Sequence, residues 1–183
     1  GGGGGRGRAP LATYSRHPPG EEALRVNVRI LAVGAVKGAL AVPLEEYQER
    51  ARRYWRLETE EVPAGLGRSR KADAGSVKAA EEERLLERIS ENARVLALTR
   101  EGKGMGSRAL ARTLEEMTVR SVPHAIFVIG GAFGLGDGVL RRADLRISLS
   151  PMTLPHELAR VVLAEQLYRA GTILRNEPYH KGP

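Results

Sequence analysis

The 183-residue chain contains no cysteine. That excludes a disulfide framework, a cysteine-ligated zinc site and a thiol nucleophile, and it fits a reducing compartment. Long apolar runs are missing too. Nothing approaches the roughly 20 residues of a membrane span, and no apolar core of a secretory signal stands near the start. The four histidines, His17, His124, His156 and His180, show neither HxxxH nor HxxE spacing, so no metal site is expected. Gly134-Leu135-Gly136 opens only a short helix and has no acid at the distance a dinucleotide fingerprint needs. Gly102-Lys103 lacks the leading glycine and the hydroxyl of a P-loop. Ser148 and Ser150 have no nucleophile-elbow context, and Glu165 and Glu177 are too isolated to pair. Hydrolytic chemistry has little support.

What the chain does carry is positive charge, formally +7. Basic surfaces attract phosphate backbones, which makes nucleic acid a candidate partner. Residues 1–24, rich in glycine, arginine and proline, cannot bury enough apolar surface to offset their ordering entropy. They read as a disordered extension, with an organelle transit peptide as the alternative. The extension holds Arg6, Arg8 and Arg16 against Glu21 and Glu22, a net of +1, so +6 stays with residues 25–183, read as one domain.

Period-two or fully apolar runs mark strands at 25–33, 57–62, 94–98, 125–129 and 144–149. Helical spacing marks 43–55, 77–89, 107–119 and 155–169, with barely a turn at 139–143. Glu81 to Glu83 are expected outside the second helix, and Ser107 is expected to cap the third. Ala64 to Gly75 reads as a mobile basic loop by composition. Alternating strands and helices predict an α/β fold, a mostly parallel sheet of five to six strands with helices on both faces. Ligands in such sheets lie beyond the carboxyl ends of the strands. Three loops there, 99–106, 130–138 and 150–155, are rich in glycine or proline, and all belong to the C-terminal half.

Arg50, Arg52, Arg53 and Arg56 with Tyr54 and Trp55 form either a solvated helix face with a buried aromatic edge or an RNA-contacting patch. On the last helix, Leu158, Val161, Val162 and Leu167 read as core. Arg160, Arg169, Arg175 and Lys181 read as exposed basic candidates near the site.

Four segments together resemble a known family. They are Phe127-Val128-Ile129-Gly130-Gly131-Ala132-Phe133-Gly134-Leu135, Ser148-Leu149-Ser150-Pro151-Met152-Thr153-Leu154-Pro155-His156, Arg160-Val161-Val162-Leu163-Ala164-Glu165-Gln166-Leu167-Tyr168-Arg169-Ala170 and Pro178-Tyr179-His180-Lys181. In this order and at these separations they closely resemble the RlmH family. Its bacterial members methylate N3 of a pseudouridine in large-subunit ribosomal RNA and fall in the SPOUT class. The resemblance implies a C-terminal trefoil knot and a cytoplasmic homodimer acting on large-subunit RNA or assembled ribosomes. It implies S-adenosylmethionine as cofactor, held by Leu98, Gly131, Ser150, Pro151, Met152, Thr153, Leu154 and Pro155. It also implies that the partner's C-terminal tail completes the site, with His156, Tyr179 and His180 as catalytic candidates and Arg160, Arg169 and Lys181 toward RNA. A SPOUT enzyme for another RNA such as tRNA, and a non-catalytic RNA- or ribosome-binding protein, are the alternatives. Phe133 stands where some relatives have an acid or amide, and it cannot accept a proton.

Overall fold

The aliphatic runs form five strands, β1 (Asn27–Val33), β2 (Arg56–Val62), β3 (Arg94–Gly104), β4 (His124–Ile129) and β5 (Leu145–Ser148). They lie in one sheet of order β2-β1-β4-β3-β5, with every pairing parallel. The computed structural model describes residues 26–67 and 72–181. The expected extension over residues 1–24 and part of the basic loop therefore lie outside the described residues. The inner strands β1 and β4 are apolar almost throughout, as burial on both faces requires, whereas edge strand β2 (RLETEEV) carries its acids outward.

Among the described residues, five α-helices cover the sheet: α1 (Ala41–Ala51), α2 (Ala74–Leu86), α3 (Ser107–Val119), α4 (Asp137–Arg142) and α5 (His156–Leu174). Alternate strand residues point to opposite faces. Val28, Ile30, Leu96 and Phe127 meet Ala51, Leu114 and Leu167, from α1, α3 and α5. Leu31, Val33, Val95 and Val128 meet Leu85 and Val139, from α2 and α4. Each such fully buried side chain contributes roughly 1.5–3 kcal/mol. Because α3 follows β3 on one face and α4 follows the adjacent β4 on the other, the two connections diverge and leave a crevice between them.

The aromatic pair settles into the core. Tyr54 packs where a side chain at Gly171 of α5 would overlap its ring, and the Trp55 indole donates to the Leu167 carbonyl at 2.8 Å. Arg50 pairs with Glu46, and Arg52 with Glu45 and Glu49, all on α1's own surface. Arg53 and Arg56 are exposed.

Several expectations are corrected. The glycine stretch after Leu98 is largely strand: the ladder with β5 jumps from Leu98 to Lys103 against the same residue, Ile147, so residues 99–102 swing out of register. Gly102 makes this feasible, because a Cβ there would lie 2.6–2.8 Å from main-chain atoms of Arg146 and Ile147. Gly106, not Ser107, is the N-cap of α3; the Ser107 hydroxyl instead donates to Gln166 of α5 at 2.6 Å. Glu81 is 3 % exposed rather than outside, and Arg160, expected at the surface, is 2 % exposed. Helix α5 runs to Leu174, past the expected end at 169, and a 3-10 turn over Pro178–His180 follows.

Candidate functional site

The crevice beyond β3, β4 and β5 forms a cavity of ≈ 390 Å³, within the size range of small-ligand sites. Its walls come from the three strand-end loops and the first turn of α5. Of the residues implied by the resemblance, Leu98, Gly131, Ser150, Met152, Thr153, Leu154 and His156 line it. Pro151 and Pro155 do not, although both stiffen the loop that does. The out-of-register segment, within the first of the three expected loops, adds Thr99, Arg100 and Glu101 to the wall.

Three glycines shape one side of this wall, and the sequence chemistry explains why. A Cβ at Gly130 would lie 2.6 Å from the carbonyl carbon of Gly134 and 2.9 Å from the nitrogen of Leu135, so the loop closes only over glycine. Gly134 takes φ +79°, and its N–H donates to the Gly131 carbonyl at 3.1 Å. In the next loop the Ser148 hydroxyl donates to the Ser150 carbonyl at 2.8 Å, and the Ser150 hydroxyl accepts the Met152 N–H at 3.0 Å. These short-range bonds fix the loop before any ligand arrives. Arg100 donates to the Thr153 hydroxyl at 3.1 Å, tying the β3 wall to the β5 wall. The Thr99 hydroxyl, with help from Arg100, holds the Glu101 carboxyl below the usual carboxylate range, so the rim carries a fixed negative charge.

His156, the first residue of α5, faces the turn after β1: a Cβ at Gly34 would stand 3.8 Å from its Nε2. Phe133 and Met152 are exposed apolar residues on the lining, at 49 % and 76 %. Adenosyl-sized ligands with an apolar ring and a polar chain suit these surroundings: Leu98, Ile129 and Leu154 supply apolar wall, and the strand ends supply N–H and C=O groups. The glycine pair allows the close main-chain approach such recognition requires.

The remaining candidates lie elsewhere. Arg160 is buried in α5, donating to Glu61 at 2.7 Å and to the Gly34 carbonyl at 3.2 Å, so it joins the ends of β1 and β2 rather than facing solvent. Tyr179 donates to Glu165 at 3.0 Å and packs tilted at 49° with its ring centre 4.5 Å from that of Tyr168, with the Arg169 guanidinium 4.8 Å over its own ring. Arg169 is itself half-buried, bonded to Glu165 at 2.7 Å. Burial, then the bond to Glu165, pushes the Tyr179 phenol well above its ordinary value. His180 Nδ1 is buried with no hydrogen-bond partner among the described residues, and Lys181 is exposed. Glu165 lies about 13 Å along α5 from His156 at 1.5 Å per residue. Thus His156 is in the cavity wall, and Tyr179 and His180 of the same chain are not.

Among the described residues no three His, Cys, Asp or Glu side chains form a metal-holding group, and no helix is long and apolar enough to cross a membrane. Residues 26–180 match the family described as "Predicted SPOUT methyltransferase". A protein of Gemmatimonas aurantiaca named ribosomal RNA large subunit methyltransferase H is 48% identical over 157 residues, spanning 85% of this chain and 100% of that protein. Proteins of the same name from Rubrobacter xylanophilus and Clostridioides difficile are 48% and 39% identical. They cover 82% and 85% of this chain, and 96% and 100% of their own lengths.

Proposed function

The chain belongs to the SPOUT methyltransferase family, in the branch of the ribosomal RNA large subunit methyltransferase H proteins, and from that premise we propose that it methylates N3 of a pseudouridine in large-subunit ribosomal RNA. The observation that supports the reading is the cavity beyond β3, β4 and β5, whose lining includes Leu98, Gly131, Ser150, Met152, Thr153 and Leu154. S-adenosylmethionine is the proposed cofactor; when bound it supplies an electrophilic methyl group on a sulfonium sulfur. Leu98, Gly131 and the loop from Ser150 to Pro155 are the residues proposed to hold it.

The work left to the protein is positioning and proton handling. An in-line displacement needs no protein nucleophile, so orienting donor and acceptor supplies much of the rate. The pseudouridine N3 must lose its proton to attack, and histidine is the side chain suited to take it near neutral pH. Phe133 cannot. We assign that role to His156, at the cavity wall, and to His180 of the partner subunit, with Tyr179 of the partner subunit stacking on the flipped base. A homodimer follows from this assignment, because the tail of one chain packs against its own α5 about 13 Å from its own His156. The basic surface, Lys181 included, is proposed to meet ribosomal RNA.

Nucleoside mass spectrometry of large-subunit RNA from a strain lacking this chain tests the function. Loss of N3-methylpseudouridine, restored by the wild-type gene, is expected. Unchanged methylpseudouridine removes the assignment, and loss of a methylated nucleoside from tRNA instead moves the substrate.

A further inference from the structure

Helix α2 supplies no residue to the cavity lining, yet two adjacent carboxylates on it meet the glycine loop of the cavity. Glu81, 3 % exposed, accepts the Gly65 N–H through Oε1 at 2.8 Å, while its Oε2 has no hydrogen-bond partner among the described residues. That free oxygen points at Gly131: a Cβ on Gly131 would lie 2.8 Å from Oε2, 3.0 Å from Oε1 and 3.1 Å from Val33 Cγ1. Glu82 Oε2 accepts the N–H groups of Gly138 at 2.7 Å and Val139 at 3.3 Å, and side chains at Gly136 or Gly138 would overlap it. Arg84 completes the attachment, donating to the Pro63 and Gly65 carbonyls at 2.8 and 2.7 Å. Three glycines of the loop are therefore shaped by α2.

We propose that Glu81 is a positioning residue for the methyl-donor loop, a buried carboxylate outside the cavity that fixes where the main chain of Gly131 sits. The proposal rests on the cofactor assignment above and extends it to an element that assignment does not use. An unpartnered carboxylate oxygen held out of water is costly, and here it lies where any side chain at 131 would have to go. A methyl group on Gly131 then has two outcomes. Either the loop shifts toward the cavity, or the carboxylate is evicted and the Gly65 N–H loses its acceptor. Gly130 differs, because its obstacle is the main chain of Gly134 and Leu135, which Glu81 does not control.

A double-mutant cycle on the full chain separates the two glycines. S-Adenosylmethionine affinity is read by calorimetry, and loop order by thermal midpoint and amide exchange over residues 130–135. Gly131→Ala is expected to weaken binding by roughly tenfold or more, a 1.4 kcal/mol effect. In the Glu81→Ala background the same substitution is expected to cost less than about threefold, with exchange over 130–135 no faster than in Glu81→Ala alone. Gly130→Ala is expected to remain severe in both backgrounds. Additive effects of Gly131→Ala and Glu81→Ala in affinity and midpoint would overturn the proposal. Should Glu81→Ala not fold, Glu81→Asp, whose carboxylate is one methylene shorter, carries the same test. A wild-type chain that binds no S-adenosylmethionine defeats the cofactor assignment, while the cycle read in midpoint and exchange still decides the role of Glu81.

Discussion

Two places at the carboxyl edge of the same sheet are finished in opposite ways. Where β1 and β2 end, a buried arginine from α5 reaches across: Arg160 bonds Gly34 after β1 and Glu61 on β2. Where β3, β4 and β5 end, the side chain that crosses is an exposed one, Arg100 bonded to the Thr153 hydroxyl at 3.1 Å, and glycine- and proline-rich loops leave a cavity of ≈ 390 Å³. Adjacent strands whose connections go to opposite faces create the opportunity for a crevice. Side-chain chemistry then sets what lines each place: Glu45, Arg52, Glu61 and Arg160 line a cavity of ≈ 450 Å³ beside β1 and β2, whereas glycine, serine and apolar residues make up most of the lining beyond β3, β4 and β5. The lesson is that a buried charge marks the structural junction, where Arg160 is 2 % exposed, whereas glycine- and proline-rich loops with their charges on the rim mark the candidate ligand site.

The largest test of this contrast is Gly102→Ala. A Cβ at 102 would lie 2.6 Å from the Ile147 carbonyl carbon, prying β3 from β5 just where both enter the cavity. Stability should fall by about 3 kcal/mol in urea unfolding, and S-adenosylmethionine binding should be lost. Retained binding would detach the cavity from the β3–β5 ladder.

Arg160→Met probes the bridged side. It keeps much of the side-chain volume but leaves Glu61 and the Gly34 carbonyl without their donor. Glu61 is partly exposed and rehydrates, so the cost should be about 2 kcal/mol, below that of a fully buried pair. Cofactor affinity should change less than about threefold, or 0.65 kcal/mol. A large loss of affinity at unchanged stability would mean that the two sides are not separate.

A smaller effect belongs to the far end of α5. Burial, then the hydrogen bond to Glu177, raises the Tyr54 phenol from 10.0 to about 12. The folded state holds this proton more tightly than the unfolded one. The contribution is therefore complete below pH 10 and fades as pH rises through 12. Chemical unfolding at graded alkaline pH should show a shallower decline for Tyr54→Phe than for wild type over that window. Equal slopes would remove Tyr54 as the titrating group.

Much of the fold was legible because strand and helix periods are strong in runs such as VNVRILAV and AIFVI, and the parallel class follows from their alternation. The three loops around the cavity were legible from glycine and proline alone. The return of the chain to the ladder at Lys103 was not, since leaving and rejoining a strand has no period, only a glycine. Glu81 and Arg160 were misplaced for a common reason: charge is ordinarily a surface signal. Each is buried because its partner comes from elsewhere in the chain, Gly65 for one and Glu61 for the other. Helical spacing records neither. Tyr179 was read as tail chemistry, but its packing onto Tyr168 and Glu165 depends on α5 running on to Leu174.

The central claim is that the methyl donor occupies the β3–β4–β5 side of the sheet edge and not the β1–β2 side. Hydrogen-exchange mass spectrometry of the chain with and without S-adenosylmethionine tests it most directly. Protection is predicted in peptides covering residues 98–101, 130–135 and 149–156, with no change around Gly34, Glu61 and Arg160 beyond the shared first turn of α5. Protection centred on the β1–β2 junction, with the glycine loop unaffected, would contradict it.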